Sequence, residues 1–283
     1  FLSQSFVIFK TRKQIKRLSV GGIMDGLSMG IINELKFSLP LLPEQNKIAS
    51  FLTSVDDKIN LLTKKKELLE KYKKGVMQKI FSQEIRFKDD NGNDFADWEN
   101  AILGNVLNGF KGKLLSGKYI NEDGEFPCIL YGALSSNYKE IISDVKEYTN
   151  EKGEVKSIED DILIPSSGGK DLIKFYCVIQ NDVFIGGDIL ILRRINDGCS
   201  KFWTYYLNHF LRKKIIRLIQ GSTIYHIYFK DLSRYVDVKV PDAKEQKKIG
   251  AFIYSIDKKI SLIESQIEKT KEFKKGLLQQ MFV

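Results

Sequence analysis

The best phosphate-binding pattern in the chain is Gly112-Lys113-Leu114-Leu115-Ser116-Gly117-Lys118-Tyr119. It meets the first seven positions of a P-loop, whose backbone N–H groups cradle phosphates and whose last hydroxyl holds Mg²⁺. Tyr119 stands where that Ser or Thr is required, no clear buried strand leads in and no helix pattern follows. An ordinary basic loop explains it better than a nucleotide-using enzyme. Pro241-Asp242 with Glu245 and Lys247 has the residue types of a metal-dependent nuclease centre, but a second copy of this stretch carries Leu41 in place of Asp242, so Asp242 reads as a helix cap. Two histidines, His209 and His226, are too few for a metal cluster. Cys128, Cys177 and Cys199 are odd in number and widely spaced, which writes neither a disulfide framework nor a zinc site and fits a reducing, cytoplasmic setting. The residues point to a chain that binds and does not catalyse, with no metal and no cofactor of its own.

The chemistry that remains is recognition of a polyanion. Lys and Arg number 45 against 36 Asp and Glu, a net charge of +9, which favours nucleic acid as the partner. Three loops have suitable side chains. They are Lys111-Gly112-Lys113 with Lys118 and Tyr119, Ser166-Ser167-Gly168-Gly169-Lys170, and Gly221-Ser222-Thr223 with Tyr225 and His226. Small residues let backbone approach a phosphate, while Lys, His and Tyr reach bases or phosphates. Each loop also reads as a plain surface turn beside a strand. Lys170 and Lys113 are expected to hold DNA of any sequence, Thr223 and His226 to set preference among sequences.

These loops need a scaffold, and the stretch from Trp98 to Val240 supplies one. Strand-like runs at Phe126–Tyr131, Asp161–Pro165, Val183–Arg193 and Tyr235–Val240 alternate with turns, giving a mixed α+β domain. One helix is predicted over Phe202–Ile219, with Trp203, Leu207, Phe210, Ile215 and Leu218 inward and Arg212, Lys213, Lys214 and Arg217 on an outer face open to phosphates. No apolar stretch approaches the roughly 18 residues of a membrane span, and Lys10, Arg12 and Lys13 precede no secretion signal.

A repeat frames that domain. Residues 40–82 lie over 241–283 without a gap, and 17 of the 43 positions are identical, among them Glu44/Glu245, Gln45/Gln246, Phe51/Phe252, Asp56/Asp257 and Lys73/Lys274. Each copy carries a heptad seam. In the second, Ile249, Ile253, Ile256, Ile260, Ile263 and Ile267 step by four and three; in the first, Ile48, Leu52, Val55, Ile59, Leu62 and Leu69 keep the same phase, with Lys66 and Lys73 as interruptions. Two helices of about 38 residues, roughly 57 Å long, are expected to pair antiparallel, since a narrow apolar stripe needs a partner. The competing reading packs each stripe on its own globular domain. A weaker match of 1–18 to 202–219 makes the chain look like a two-repeat protein without the front of its first repeat.

The Pro-x-x-x-Glu-Gln-x-x-Ile openings at 40–48 and 241–249, the Lys-Lys-Gly-x-x-Gln endings at 73–78 and 274–279, and the domain between them resemble the DNA-specificity subunit of Type I restriction-modification systems. Asp161-Ile162-Leu163-Ile164-Pro165-Ser166-Ser167-Gly168 also resembles a strand and turn of its recognition domains. The resemblance implies an α+β architecture in which a mixed α/β target recognition domain is flanked by two long helices paired as an antiparallel coiled coil. Residues 1–39 would be the end of a first target recognition domain, 40–86 the central helix, 87–240 the complete recognition domain and 241–283 the C-terminal helix. It implies further that double-stranded DNA and Type I methyltransferase subunits are the partners, that restriction subunits join them, and that S-adenosylmethionine, ATP and Mg²⁺ act on those subunits to methylate adenine and cleave. Glu44, Gln45, Glu245 and Gln246 are the candidates for docking the methyltransferase or orienting the domains, with hydrogen bonding at the helix starts as the other reading. A self-associating half-subunit reading a symmetric site, and a stand-alone DNA-binding protein, are the alternatives.

Overall fold

The computed structural model describes residues 1, 6, 9–18, 29–36, 39–113, 115, 117–169, 173–221 and 224–281. In chain order its helices are α1 (Phe9–Leu18), α2 (Met29–Asn33), α3 (Leu42–Phe81), α4 (Tyr131–Ser136), α5 (Ser200–Tyr205), α6 (Arg212–Ile216), α7 (Phe229–Tyr235) and α8 (Ala243–Met281). Residues 1–72 and 258–283 form one compact unit and residues 73–257 another, so α3 and α8 contribute to both.

In the first unit the heptad pattern forms the expected seam. Ile48, Leu52 and Val55 of α3 and Ile260, Ile263 and Ile267 of α8 are buried, while the intervening Lys64, Lys65 and Lys71 stay in water. Cross-helix ion pairs Lys66–Glu264 at 3.0 Å and Lys274–Asp56 at 2.6 Å make the segments antiparallel. The interruptions in the apolar rhythm are thus the residues that pair. The bond from Glu264 raises the Lys66 pKa above that of a free lysine. In the second unit Lys73 pairs with Asp257 at 2.7 Å, and Asp257 also accepts from the Tyr205 hydroxyl at 2.6 Å. Lys73 and Lys274 are repeat counterparts, as are Asp56 and Asp257, so one contact is made twice with the roles exchanged. A charged residue in a seam weakens it but fixes its register.

The second unit is built on strands β1 (Glu99–Ile102), β2 (Leu107–Lys111), β3 (Phe126–Ile129), β4 (Ile141–Ile142), β5 (Glu147–Thr149), β6 (Asp161–Pro165), β7 (Ser167–Gly168), β8 (Tyr176–Val178), β9 (Phe184–Ile185), β10 (Ile189–Arg194), β11 (Tyr225–His226) and β12 (Asp237–Val240). A five-stranded sheet has the order β2-β10-β6-β8-β4, antiparallel except for the last pair. Its runs Asp161-Ile-Leu-Ile-Pro165 and Ile189-Leu-Ile-Leu192 are apolar without alternation, because both faces are covered. Ile162, Ile164, Leu190 and Leu192 enter one core with Trp98, Phe202, Trp203 and Tyr206. Leu163, Ile189 and Ile191 enter the other with Ile129, Leu134 and Ile185. Burying each of these side chains contributes about 1.5–3 kcal/mol.

The single helix predicted over 202–219 is two short ones separated by a π-helical turn at Tyr206–Phe210 and a bend at Leu211. Phe202, Tyr206 and Phe210 stack in succession, each step 5.4 Å with planes 17° apart. Phe210 is 44% exposed where the helical pattern placed it inward, and Trp203, Leu207 and Ile215 are buried as that pattern required. The predicted strand over 183–193 is likewise divided at Gly186-Gly187-Asp188 into β9 and β10, and Tyr131 begins a helix instead of ending a strand.

Candidate nucleic-acid interface

Strands β2 and β6 both run antiparallel to the β10 between them, so their C-terminal ends share one end of the sheet with the start of β10. In register, Lys111 stands across from Leu190, and Leu190 across from Ile164. The loops leaving β2 and β6 therefore emerge together. Backbone bonds fasten them: Gly112 N–H donates to the Ile189 carbonyl, Lys113 N–H to that of Ile185 and Ser166 N–H to that of Asp188. Gly112 is glycine for a packing reason, since a Cβ there would strike the carbonyl oxygens of Gly186 and Ile185. The strand that leads into the basic loop, β2, has only Leu107 buried, and a single 3₁₀ turn at Gly117–Tyr119 follows it; Leu114 and Ser116 lie outside the described residues. A P-loop needs a longer helix at that point.

The third loop joins through pairing that the sequence does not signal. β7 and β11 form an antiparallel ribbon with Tyr225 opposite Gly168 and His226 opposite Ser167, and Ile227 N–H continues it to the Ser166 carbonyl at 3.0 Å. The Tyr131 hydroxyl donates to the Ser167 carbonyl at 2.9 Å. His226 and Tyr228 are exposed and stacked, 6.3 Å between ring centres. Ser166 is buried and Ser167 half-buried, so Ser166 serves the ribbon through its backbone and does not reach outward. Lys170, Ser222 and Thr223 lie outside the described residues.

The cations have distinct situations. Lys111 and Lys213 are exposed and have no carboxylate partner among the described residues; Lys113 is exposed and paired with Glu154 at 2.6 Å. Lys118 and Tyr119 are exposed on the 3₁₀ turn. Arg212 departs from the expected outer face: it is half-buried and donates to the Ile173 carbonyl at 2.6 Å, which fastens the start of α6 to the segment leading into β8. Lys214 is bound to Asp237 at 2.6 Å. Within this unit the geometry thus gathers Lys111, Lys113, Ser167, Tyr225 and His226 around strand ends, while Arg212 is occupied internally. The Glu140 carboxylate accepts from the His209 ring, 2.8 Å away, which ties His209 into the fold.

The helix-start residues divide. Gln246 Nε2 donates to the Pro241 carbonyl at 2.9 Å, and Gln45 Nε2 repeats this with Pro40 at 2.8 Å. Gln246 Oε1 also accepts from Cys199 N–H. Glu245 is fully buried, accepting from Arg86 at 2.8 and 3.2 Å and from the Trp98 indole at 3.0 Å. Its carboxylate raises the Arg86 pKa, with the hydrogen bond as the largest cause. Glu245 and Gln246 are therefore inaccessible to a docking partner; they hold the domain to the helix. Asp242 accepts from Lys244 N–H at 2.7 Å as a cap, without Glu245 completing a capping box. Glu44 is exposed. The Arg86–Trp98 segment was missed by sequence reasoning, and Trp98 followed by a turn-bounded strand was its only signal.

The family model of the type I restriction modification DNA specificity domain matches residues 2–71 and 96–272. A putative type I restriction enzyme MjaX specificity subunit from Methanocaldococcus jannaschii is 27% identical over 254 residues, 87% of this chain and 58% of that protein. The type I restriction enzyme MjaVIII specificity subunit of the same organism is 25% identical over 88% of this chain and 61% of its own length. The chain spans about three fifths of these curated relatives. Its fold is similar to that of the Type-I restriction-modification system S subunit from M. genitalium, with a TM-score of 0.66 at 20% identity over 99% of this chain and 72% of that one. The HsdS subunit from Thermoanaerobacter tengcongensis aligns with a TM-score of 0.52 at 17% identity, covering 96% and 66%. Sequence match and fold agree across the repeat and the domain it frames, and the chain belongs to the family of type I restriction modification DNA specificity domains.

Proposed function

We propose that this chain is a DNA-reading component of a Type I restriction-modification assembly and directs adenine methylation and cleavage performed by other subunits. Residues 87–240 act as the target recognition domain, and residues 40–86 and 241–283 are the long helices that join it to its partners in the cytoplasm. The observation that carries this reading is that β2 and β6 end at one end of the five-stranded sheet and that the β7–β11 ribbon, with Tyr225 and His226, follows directly on β6. There Lys111, Lys113 and Lys118 would hold phosphates while His226 and Tyr225 would meet bases. S-adenosylmethionine, ATP and Mg²⁺ belong to the methyltransferase and restriction subunits. Docking of a methyltransferase helix is favoured along the outside of the first unit, where Leu61 and Leu262, and Tyr72 and Phe273, are exposed apolar pairs at repeat-equivalent positions. Among the described residues no helix is long and apolar enough to cross a membrane. The test is co-expression with a Type I methyltransferase subunit from the same genome, then co-purification and base-resolution mapping of adenine methylation. A stable complex marking one short motif is expected; no complex would return the chain to a stand-alone DNA binder.

A further inference from the structure

The segment from Tyr225 to Phe229 alternates: Tyr225 and Phe229 are half-buried, Ile227 is buried, and His226 and Tyr228 are exposed. That is the period of an extended chain with one face inward, and the extended conformation persists through Tyr228 (φ −116°, ψ 135°) before α7 begins. The backbone is fixed from several sides. His226 exchanges two hydrogen bonds with Gln220, at 3.0 and 2.7 Å, and stands across from Ser167 of β7 on its other edge. The Tyr228 carbonyl accepts from the N–H groups of Asp231 and Leu232 at 3.1 and 3.2 Å. Inward, Ile227 joins the core that holds Ile164 and Leu190, and the Phe229 ring fills the space where a Cβ on Gly109 of β2 would stand. The two outward rings are thereby held within 22° of parallel, 6.3 Å between their centres. Neither the imidazole nor the Tyr228 hydroxyl has a hydrogen-bond partner among the described residues.

We infer that Tyr228 is a specificity-determining residue that acts with His226, the two rings reading base pairs of a duplex that are separated by one unread pair. The inference rests on the DNA-reading role proposed for this domain and deepens it. A two-stranded ribbon fits the major groove, which is about 12 Å wide. Side chains two residues apart on a strand stand about 6.6–6.8 Å apart, and base pairs two steps apart are separated by about 6.8 Å at a rise of about 3.4 Å. The 6.3 Å between the ring centres matches that interval and exceeds a single step nearly two-fold. The imidazole and the phenol each donate or accept, so each supplies the hydrogen bond that a major-groove base edge requires. Two rings set in water on a fixed backbone add little to the core, whereas ordering them in advance reduces the entropy lost on binding. The repeat has Asp25 and Leu27 in the places of His226 and Tyr228, so the pair differs between copies as residues that read different targets must.

The test selects duplexes from a random library with the full chain, sequences those bound, and measures by anisotropy the affinity of the selected motif and of each single-base-pair change in it. Wrong base pairs within the motif are expected to lower affinity at least about five-fold. His226→Ala should erase that penalty at one position, and Tyr228→Ala at a second position two steps away. Tyr228→Phe keeps the ring and loses only the hydroxyl, and should erase the same penalty as Tyr228→Ala; circular dichroism establishes that all three variants are folded. Retention of every penalty by both Tyr228 variants overturns the inference. So does loss at the His226 position itself, at any spacing other than two steps, or to an equal degree on the motif and a scrambled duplex. Absence of any selected motif with the unmodified chain overturns the DNA-specificity reading and this inference with it, whereas a clear motif whose penalties both Tyr228 variants retain overturns this inference alone.

Discussion

Lys113 and its neighbour Glu154 give the sharpest test of where DNA lies. Lys111 is exposed without a carboxylate partner among the described residues, whereas Lys113 shares its charge with Glu154 at 2.6 Å. Each phosphate contact contributes about 0.9 to the slope of log affinity against log salt. Removing one contact therefore lowers affinity by about eight-fold at 0.1 M salt relative to a 1 M reference, and reduces the slope by about 0.9. Lys111→Ala should show this in full. Lys113→Ala should show less, because part of its charge is already neutralised. Glu154→Ala carries the opposite sign: it frees Lys113 and removes a negative charge from the loop, tightening binding by about two- to five-fold, the range of a surface ion pair. The assay is fluorescence anisotropy on a duplex containing the mapped methylation motif, repeated from 50 to 300 mM salt, with a scrambled duplex alongside. All three changes should act equally on both duplexes, since phosphates carry no sequence. Weaker or unaltered binding for Glu154→Ala, together with an unaltered slope for Lys111→Ala, would refute the placement of DNA at this end of the sheet.

Glu245→Ala leaves the Arg86 guanidinium and the Trp98 indole facing an empty pocket and should cost about 3 kcal/mol, with Glu245→Gln milder, both read by urea unfolding through tryptophan fluorescence; a loss under about 0.5 kcal/mol for Glu245→Ala would remove its anchoring role. Gly112→Ala pushes a methyl into the carbonyls of Ile185 and Gly186 and should destabilise by about 1–3 kcal/mol, seen as a lowered urea midpoint. Asp56→Ala should lose up to about 1 kcal/mol, most of which returns in the exchanged pair Asp56→Lys with Lys274→Asp; failure of the exchange to recover stability would mean that the pair does not set helix register. Burial pushes the Cys128 thiol up to about 11, so it is almost wholly protonated at pH 8, and a thiol reagent should leave it unmodified in the native protein at that pH while labelling it in urea.

The helices were legible because their signal is local and long: a heptad seam repeated twice survives any choice of partner. β6 was legible for a related reason, as Asp161–Pro165 is a compact apolar run bounded by turn residues. The π-helical turn was not, since one extra residue among Phe202, Tyr206 and Phe210 leaves the apolar pattern nearly intact while rotating all that follows, Arg212 included. β7 and β11 are two residues each and are defined by each other across nearly sixty positions, so neither has a pattern of its own. Glu245 was legible as a repeated residue but not as a buried anchor, because its partners Arg86 and Trp98 are distant in sequence and identifiable only once the chain is folded. Thus the candidate loops could be listed from sequence, while the closeness of the ends of β2 and β6 depended on sheet order.

The doubly covered sheet bears on how such a chain can acquire a new target. Its inner strands have no spare face on which mutations can accumulate, since alternate residues of β6 and of the start of β10 are buried in different cores. Substitutions that preserve folding are then easiest at the exposed positions of the turns at the strand ends, such as Lys111, Lys113 and His226. A lineage could exchange whole turns by recombination and change what is read without renegotiating the interior. Only turn residues that pin the loops, such as Gly112 and Ser166, would answer to both demands, reading and folding, at once.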